Sequence, residues 1–300
     1  MFVVKYRKIW FALSAILIAL SAYAIFAYSF NLSIDFKGGT ITEVKYIGER
    51  PSKESIESAI STLEIGGFSV RPSEDDRYII RTKELSEAEK QNLLQALGYP
   101  VNQLTIERQN TIGPTAGAEL KSKAMKAIAV VVLMIVLFIT FAFRGVSKPV
   151  SSWKYGLATI VALAHDVIIP TGIFVFLGHY LGVEIDLLFI TGLLAILGYS
   201  VHDTIVVFDR VRENLKINQE HNNVEEFELT VGKSVQQTFA RSINTSLTIF
   251  ITLLALYLFG STATKDFSLL LIIGVIIGTY SSIFVASPLL VTFYKLQKNK

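Results

Sequence analysis

Residues 267–294 read FSLLLIIGVIIGTYSSIFVASPLLVTFY, with no charged side chain between Asp266 and Lys295. A bilayer core is crossed by about 20 apolar residues in a helix, so this run is long enough to span a membrane. Five further stretches pass the same test, near 9–30, 124–143, 155–177, 185–208 and 241–260. Aromatic residues mark several ends: Trp10, Phe143, Trp153, Tyr155, Tyr257 and Tyr294. Such rings favour the headgroup level. Within the sixth run Gly274, Gly278, Ser282 and Ala286 recur every fourth residue, a spacing that lets helices approach closely.

Composition agrees with this reading. Of 300 residues, 51% are hydrophobic and 18% charged, too apolar for an average soluble domain. Residues 31–123 hold 26 of the 53 charges, 12 basic and 14 acidic. The chain therefore divides into a cytoplasmic N-terminus and first span (1–30), a water-soluble domain (31–123), five further spans (124–294) and a tail (295–300). A net charge of +3 gives no nucleic-acid surface. The absence of cysteine excludes disulfides, thiol chemistry and cysteine metal sites, and leaves the redox compartment open.

Lys and Arg in short loops set orientation. Lys5, Arg7 and Lys8 precede the first span; Arg144, Lys148 and Lys154 lie between the second and third. Arg210, Arg212, Lys216, Lys233 and Arg241 lie between the fourth and fifth, and Lys295, Lys298 and Lys300 follow the sixth. The opposite loops carry only Lys265. Both termini are thus expected in the cytoplasm and domain 31–123 outside it. A basic start, an apolar stretch and Ala22-Tyr23-Ala24 also fit a cleavable signal peptide. Continuation through Ile25-Phe26-Ala27-Tyr28 favours a retained span.

In the outside domain, Gly38-Gly39 permits a turn or close backbone approach. Ile41–Ile47 alternates like a strand. Ser52 caps a helix expected over 53–64, ended by Gly66-Gly67. Phe68–Arg71 and Tyr78–Thr82 read as strands around a turn at Ser73-Glu74-Asp75-Asp76. Ser86 with Glu89 resembles a capping box, opening a helix that ends at Gly98. Leu104–Asn110 is a last strand. The order β-α-β-β-α-β is that of split, ferredoxin-like domains. The expected fold is a polytopic α-helical membrane protein with six transmembrane helices and an α+β ferredoxin-like extracytoplasmic domain. No clustered histidines, nucleophile motif or phosphate loop occurs in that domain, so it reads as a module that binds or moves.

Ionisable residues at bilayer depth are costly and usually functional. His165-Asp166 lies near the centre of the third span, and His202-Asp203 lies towards the cytoplasmic end of the fourth. Arg241 opens the fifth, where Thr245, Thr248 and Thr252 continue one helical face; that stripe is expected to face other helices. Two readings of Asp203 and Arg241 are open. One is a permanent ion pair. The other is a carboxylate that gains and loses a proton, because desolvation favours the neutral acid while a nearby cation favours the ionised one. His165 and His202 read equally as hydrogen-bonded interior histidines or as relay members. No metal-ligand pattern such as H-E-x-x-H occurs. The contexts of Asp166 and Asp203 do not match the Y-D and G-x-G-D contexts of intramembrane aspartyl proteases. No cofactor is implied.

Six runs, in order on this topology, carry a family resemblance: Asp35–Thr40, Ile112–Leu120, Ala162–Asp166, Gly198–Asn214, Gln237–Ser246, and Phe267-Ser268 with Gly278–Ile283. Together the chain resembles, over nearly its whole length, the SecF branch of the SecD/SecF family of bacterial protein-export membrane subunits, within the resistance–nodulation–division superfamily. The resemblance implies a SecD partner of similar design, acting after the SecYEG channel and its motor ATPase have begun export. It implies that the proton or sodium gradient drives late steps of translocation of an unfolded polypeptide across the inner membrane. It carries over Asp203 and Arg241 as the coupling pair, with Asp166, His202 and His165 as further candidates. The family commonly has Asn at the position of His202, which leaves the ion open. A passive assembly scaffold is the alternative; a stand-alone small-molecule exporter would need a larger outside domain.

Overall fold

The computed structural model describes residues 2–73, 75–99, 104–144, 150–221 and 225–298. Glu74 of the expected turn, and Lys148 and Lys300 of the basic flanks, lie outside the described residues. Among the described residues six helices are long and apolar enough to cross a membrane. They are Arg7–Ala27, Pro114–Ala142, Ser152–Leu181, Leu187–Glu220, Phe227–Phe259 and Thr264–Gln297, here spans one to six. Residues 1–31, 127–183 and 188–300 form one compact unit, and residues 32–126 with 184–187 form a second.

In the helical unit, spans three, four and six make the centre: 50%, 50% and 56% of their most apolar windows are buried, against 17%, 11% and 6% in spans one, two and five. Spans two, four and five run past the lengths expected from hydropathy alone, because their polar ends stay helical. Span six is interrupted by a π-helical turn at Ser282–Ala286. Pro288 just beyond has no N–H to give the preceding turn, and the Ser282 carbonyl accepts from Ser287 Oγ at 2.9 Å. One end of the centre is aromatic: Phe143 stacks on Tyr155 at 5.3 Å, and Phe208 meets both edge-on.

The second unit holds a four-stranded antiparallel sheet: β1 (Gly39–Tyr46), β2 (Phe68–Ser73), β3 (Arg77–Thr82) and β4 (Leu104–Ile112), in the order β2-β3-β1-β4. Helix α1 (Lys53–Ser61) follows β1 and α2 (Glu87–Ala96) follows β3. Alternation places Val44, Tyr46, Val70, Tyr78 and Ile80 in one core with Ile56, Ile60, Leu93 and Leu97 of the helical segments. Within this core Tyr46 donates to Leu97 O at 3.2 Å, and burial pushes the pKa of its hydroxyl up to about 12. Ser52 caps α1 by accepting from Ser55 N, and Ser86 with Glu89 forms the capping box of α2. A short helix, Ile34–Lys37, is too brief for periodicity to reveal.

The glycines that flank this sheet are required. Gly39 has φ +137°, and a Cβ there would lie 2.5 Å from Thr82 O. Gly38, at φ +78°, would place one 2.9 Å from Pro114 Cα, and one on Gly117 would come within 3.0 Å of Gly38 N. The motifs at 35–40 and 112–120, far apart in sequence, therefore pack on each other, with Gly39 and Ile112 opposite in the β1–β4 ladder.

Gly39→Ala should cost the domain about 2 kcal/mol or more, from positive φ together with a backbone clash. Limited proteolysis of the full chain in membranes is the check: the domain should be cut faster than in a Gly67→Ala control, where a Cβ meets nothing within 4 Å.

Candidate functional site

Spans four and six run parallel and touch through a line of small residues. A Cβ on Gly192 would lie 2.7 Å from Leu270, one on Gly274 would lie 2.2 Å from Ile196, and one on Gly278 would lie 3.2 Å from Ser200. Thr204 and Ser282 then share a hydrogen bond of 2.8 Å. The four-residue spacing in the sequence thus does bring the helices together.

Asp166 of span three lies beside this seam, with no exposure. Its Oδ2 accepts from Ser281 Oγ at 2.7 Å and from Ser200 Oγ, and its Oδ1 pairs with His165 Nδ1 at 2.9 Å. Spans three, four and six are joined at this one carboxyl group. The His165 ring stacks near Tyr280, at 5.8 Å between centroids. Tyr280 in turn donates to Trp10 O of span one at 2.9 Å.

Asp203 of span four is held differently. Its Oδ1 accepts from Ser242 Oγ of span five at 2.6 Å. Its Oδ2 is buried and takes no hydrogen bond from the described residues. Arg241 is exposed and forms no ion pair with Asp203. Successive helical residues are turned by about 100°, so Ser242 points inward and Arg241 does not. The expected stripe is likewise turned outward: Arg241, Thr245, Thr248 and Thr252 are exposed, while Ser234, Thr238, Ser242 and Ser246 form the buried face. His202 is exposed beside Asp203.

Hydroxyls extend the site between spans four, five and six. Tyr199 OH lies 2.5 Å from Ser246 Oγ and 3.1 Å from Thr279 Oγ1, and Ser246 and Thr279 are 2.6 Å apart. Beyond Asp203, the polar ends of spans four and five are locked in register. Asn214 Nδ2 donates to Ser234 Oγ and to Gln237 Oε1, each at 2.8 Å, and Arg210 Nε donates to the same Gln237 oxygen at 2.7 Å. Sequence reasoning misses Ser242, Ser200, Ser281 and Asn214; their only signal is a hydroxyl or amide inside an otherwise apolar helix.

Chemically, Asp166 is saturated by its partners, whereas Asp203 has an oxygen in reserve and a nearby cation that is not tied to it. Among the described residues the two carboxyls share no hydrogen-bond partner, which does not suit a protease dyad. Nor, among those residues, is any group of three or more His, Asp or Glu side chains placed to hold a metal ion.

Residues 92–296 match the family described as protein export membrane protein SecD/SecF, C-terminal, and residues 23–46 match the SecD/SecF GG motif. The protein translocase subunit SecF of Thermobaculum terrenum is 40% identical, over 97% of this chain and 93% of that one. SecF of Helicobacter pylori strain J99 is 32% identical over 94% and 84%. A crystal structure of SecDF, a translocon-associated membrane protein from Thermus thermophilus, superposes with a TM-score of 0.82 at 32% identity. It covers 99% of this chain, which spans 38% of that longer one. SecDF in a super-membrane-facing form superposes at 0.68.

Asp166→Ala leaves two serine hydroxyls and a histidine nitrogen without their partner in a buried site. The loss is about 1–3 kcal/mol for each unsatisfied group. Thermal unfolding of the full chain in detergent should show a clear drop, with a smaller one for Asp203→Ala, which strands only Ser242.

Proposed function

The chain belongs to the SecD/SecF family of protein-export membrane proteins, and from that premise we propose that it couples an ion gradient to protein translocation through Asp203. It is a multi-pass protein translocase subunit. Its place is the bacterial inner membrane, with both termini in the cytoplasm and the β-sheet domain, of ferredoxin-like type, outside. The partner is a SecD subunit, as the single-chain SecDF relative suggests. The SecYEG channel, its motor ATPase and the unfolded exported chain are the wider partners.

The observation that carries this reading is the contrast between the two buried aspartates. An ion carrier must release what it binds. Asp166 bonds three side chains on three spans, and each protonation change there would disturb bonds that hold the bundle. Asp203 accepts one hydrogen bond, from Ser242, and keeps a second oxygen without a donor. A proton on Oδ2 disturbs nothing already made.

The outward stripe of Arg241, Thr245, Thr248 and Thr252 marks where a partner helix fits. Polar residues facing hydrocarbon are expensive, and only 6% of the most apolar window of span five is buried. A SecD helix laid along this face covers the stripe and brings Arg241 and His202 into a protein interior beside Asp203. Arg241 then competes with the proton for the carboxylate. Protonation weakens that attraction, the helices repack, and the outside domain follows. One charge crossing 100 mV is worth about 2.3 kcal/mol, enough to bias a two-state motion whose minor state lies a few kcal/mol away.

Two substitutions test this in vesicles that hold the whole export complex. Asp203→Asn keeps shape and the Ser242 bond but cannot ionise; gradient-dependent export should fall to the level seen without a gradient. Arg241→Ala should uncouple export from ion flow while leaving the chain inserted. Undiminished export in Asp203→Asn would leave the passive scaffold as the better account.

A further inference from the structure

We propose that residues 31–35, laid along residues 182–187, form a strap through which the outside domain holds the N-terminus of span four, with Asp35 as its positioning residue. The inference rests on the coupling role given to Asp203 and says how motion reaches the domain.

The strap is continuous along the chain. Asn31 Nδ2 donates to Gly182 O at 3.2 Å and to Val183 O at 3.1 Å. Leu32 and Ile185 form a parallel bridge, and Ser33 N donates to Ile185 O at 3.0 Å. Asp35 Oδ2 then accepts from Leu187 N at 3.0 Å. Leu187 is the first residue of span four. The first N–H groups of a helix have no partner within it, and a carboxylate there is favoured by the helix dipole. Span four thus takes an end-cap from a side chain far away in sequence.

Residues 184–187 fold with the domain rather than with the other spans. Arg81 of β3 pairs with Glu184 at 2.9 Å, both being mostly buried. Burial pushes the Glu184 carboxyl up, and the Arg81 guanidinium pulls it back only in part. Asp35 is itself fixed from two sides. Its N–H donates to Ser33 Oγ at 3.1 Å, and the Gly38–Pro114 contact pins the turn that follows. From Leu187 to Asp203 the helix runs about 24 Å at about 1.5 Å per residue. Leu187 and Asp203 belong to one uninterrupted helix, so a pull on its first N–H acts on the element that carries the coupling carboxyl.

The test uses the full chain with SecD in vesicles, comparing Asp35→Ala with Asp35→Asn, which keeps an acceptor oxygen at the same reach. Amide exchange at Leu187 and Ser33 should speed up about fivefold in Asp35→Ala, the loss of one hydrogen bond worth about 1 kcal/mol, and stay near native in Asp35→Asn. Gradient-driven export should fall with it and be rescued by Asn. In the native background Asp203→Asn should change exchange at Leu187 and Ser33; in Asp35→Ala it should add nothing. Equal loss in Asp35→Asn and Asp35→Ala would make charge, not capping, the requirement and overturn the strap. So would unchanged Leu187 exchange in Asp35→Ala. Normal export by Asp203→Asn would sink the coupling reading instead, and the exchange at Leu187 decides the strap whichever way that assay falls.

Discussion

A carboxyl group cut off from water must take its hydrogen bonds from the protein, and the bundle is arranged around that requirement. Asp166 obtains them from three side chains, two of which belong to other spans. Those bonds exist only because spans four and six come close, and they come close only because Gly192, Gly274 and Gly278 leave the room. Lipid offers no hydrophobic reward for helix association, so small-residue packing and interhelical hydrogen bonds have to supply it together. The seam and the aspartate are one device.

Asp203 departs from that rule, and the departure is informative. Its hydrogen-bonding capacity is only part used: one oxygen accepts from Ser242 and the other, buried, has no donor among the described residues. Ser242 is enough to orient the group. The Asn214–Ser234–Gln237 lock ties spans four and five together on the same side as that bond.

Much of this is legible in the amino-acid sequence alone. Uninterrupted apolar runs reveal the spans, and turn and capping residues reveal the sheet domain, since Ser52, Ser86 and Glu89 act locally. β1 begins at Gly39 and β4 ends at Ile112, each a little beyond the alternating pattern, because ladder pairing extends into glycine and polar residues. That the stripe on span five faces away from the helices of its own chain has a simple cause. Both faces of that helix carry hydroxyls at helical spacing, and periodicity cannot say which one faces in. Reading the stripe from Arg241 selects the outer face; reading from Ser242 selects the inner one. The strap cannot be read at all, because parallel contacts between two irregular segments leave no period. The two glycine motifs are visible as motifs, but that they meet is a fact of the fold alone.

The π-helical turn in span six sets the facing of the half-helix that follows it. A π turn absorbs one residue more than an α turn, so the two halves of this span are out of phase by about 100°. The half after the turn buries Leu290 and Val291, and Lys295 reaches Glu228 of span five. Wound as regular α-helix, the same residues would turn that surface through more than a quarter of a circle, away from its partners; deleting one residue there would instead remove the bulge and leave the surface in place. The π turn thus sets which face of the second half meets span five, which no bilayer thickness could demand.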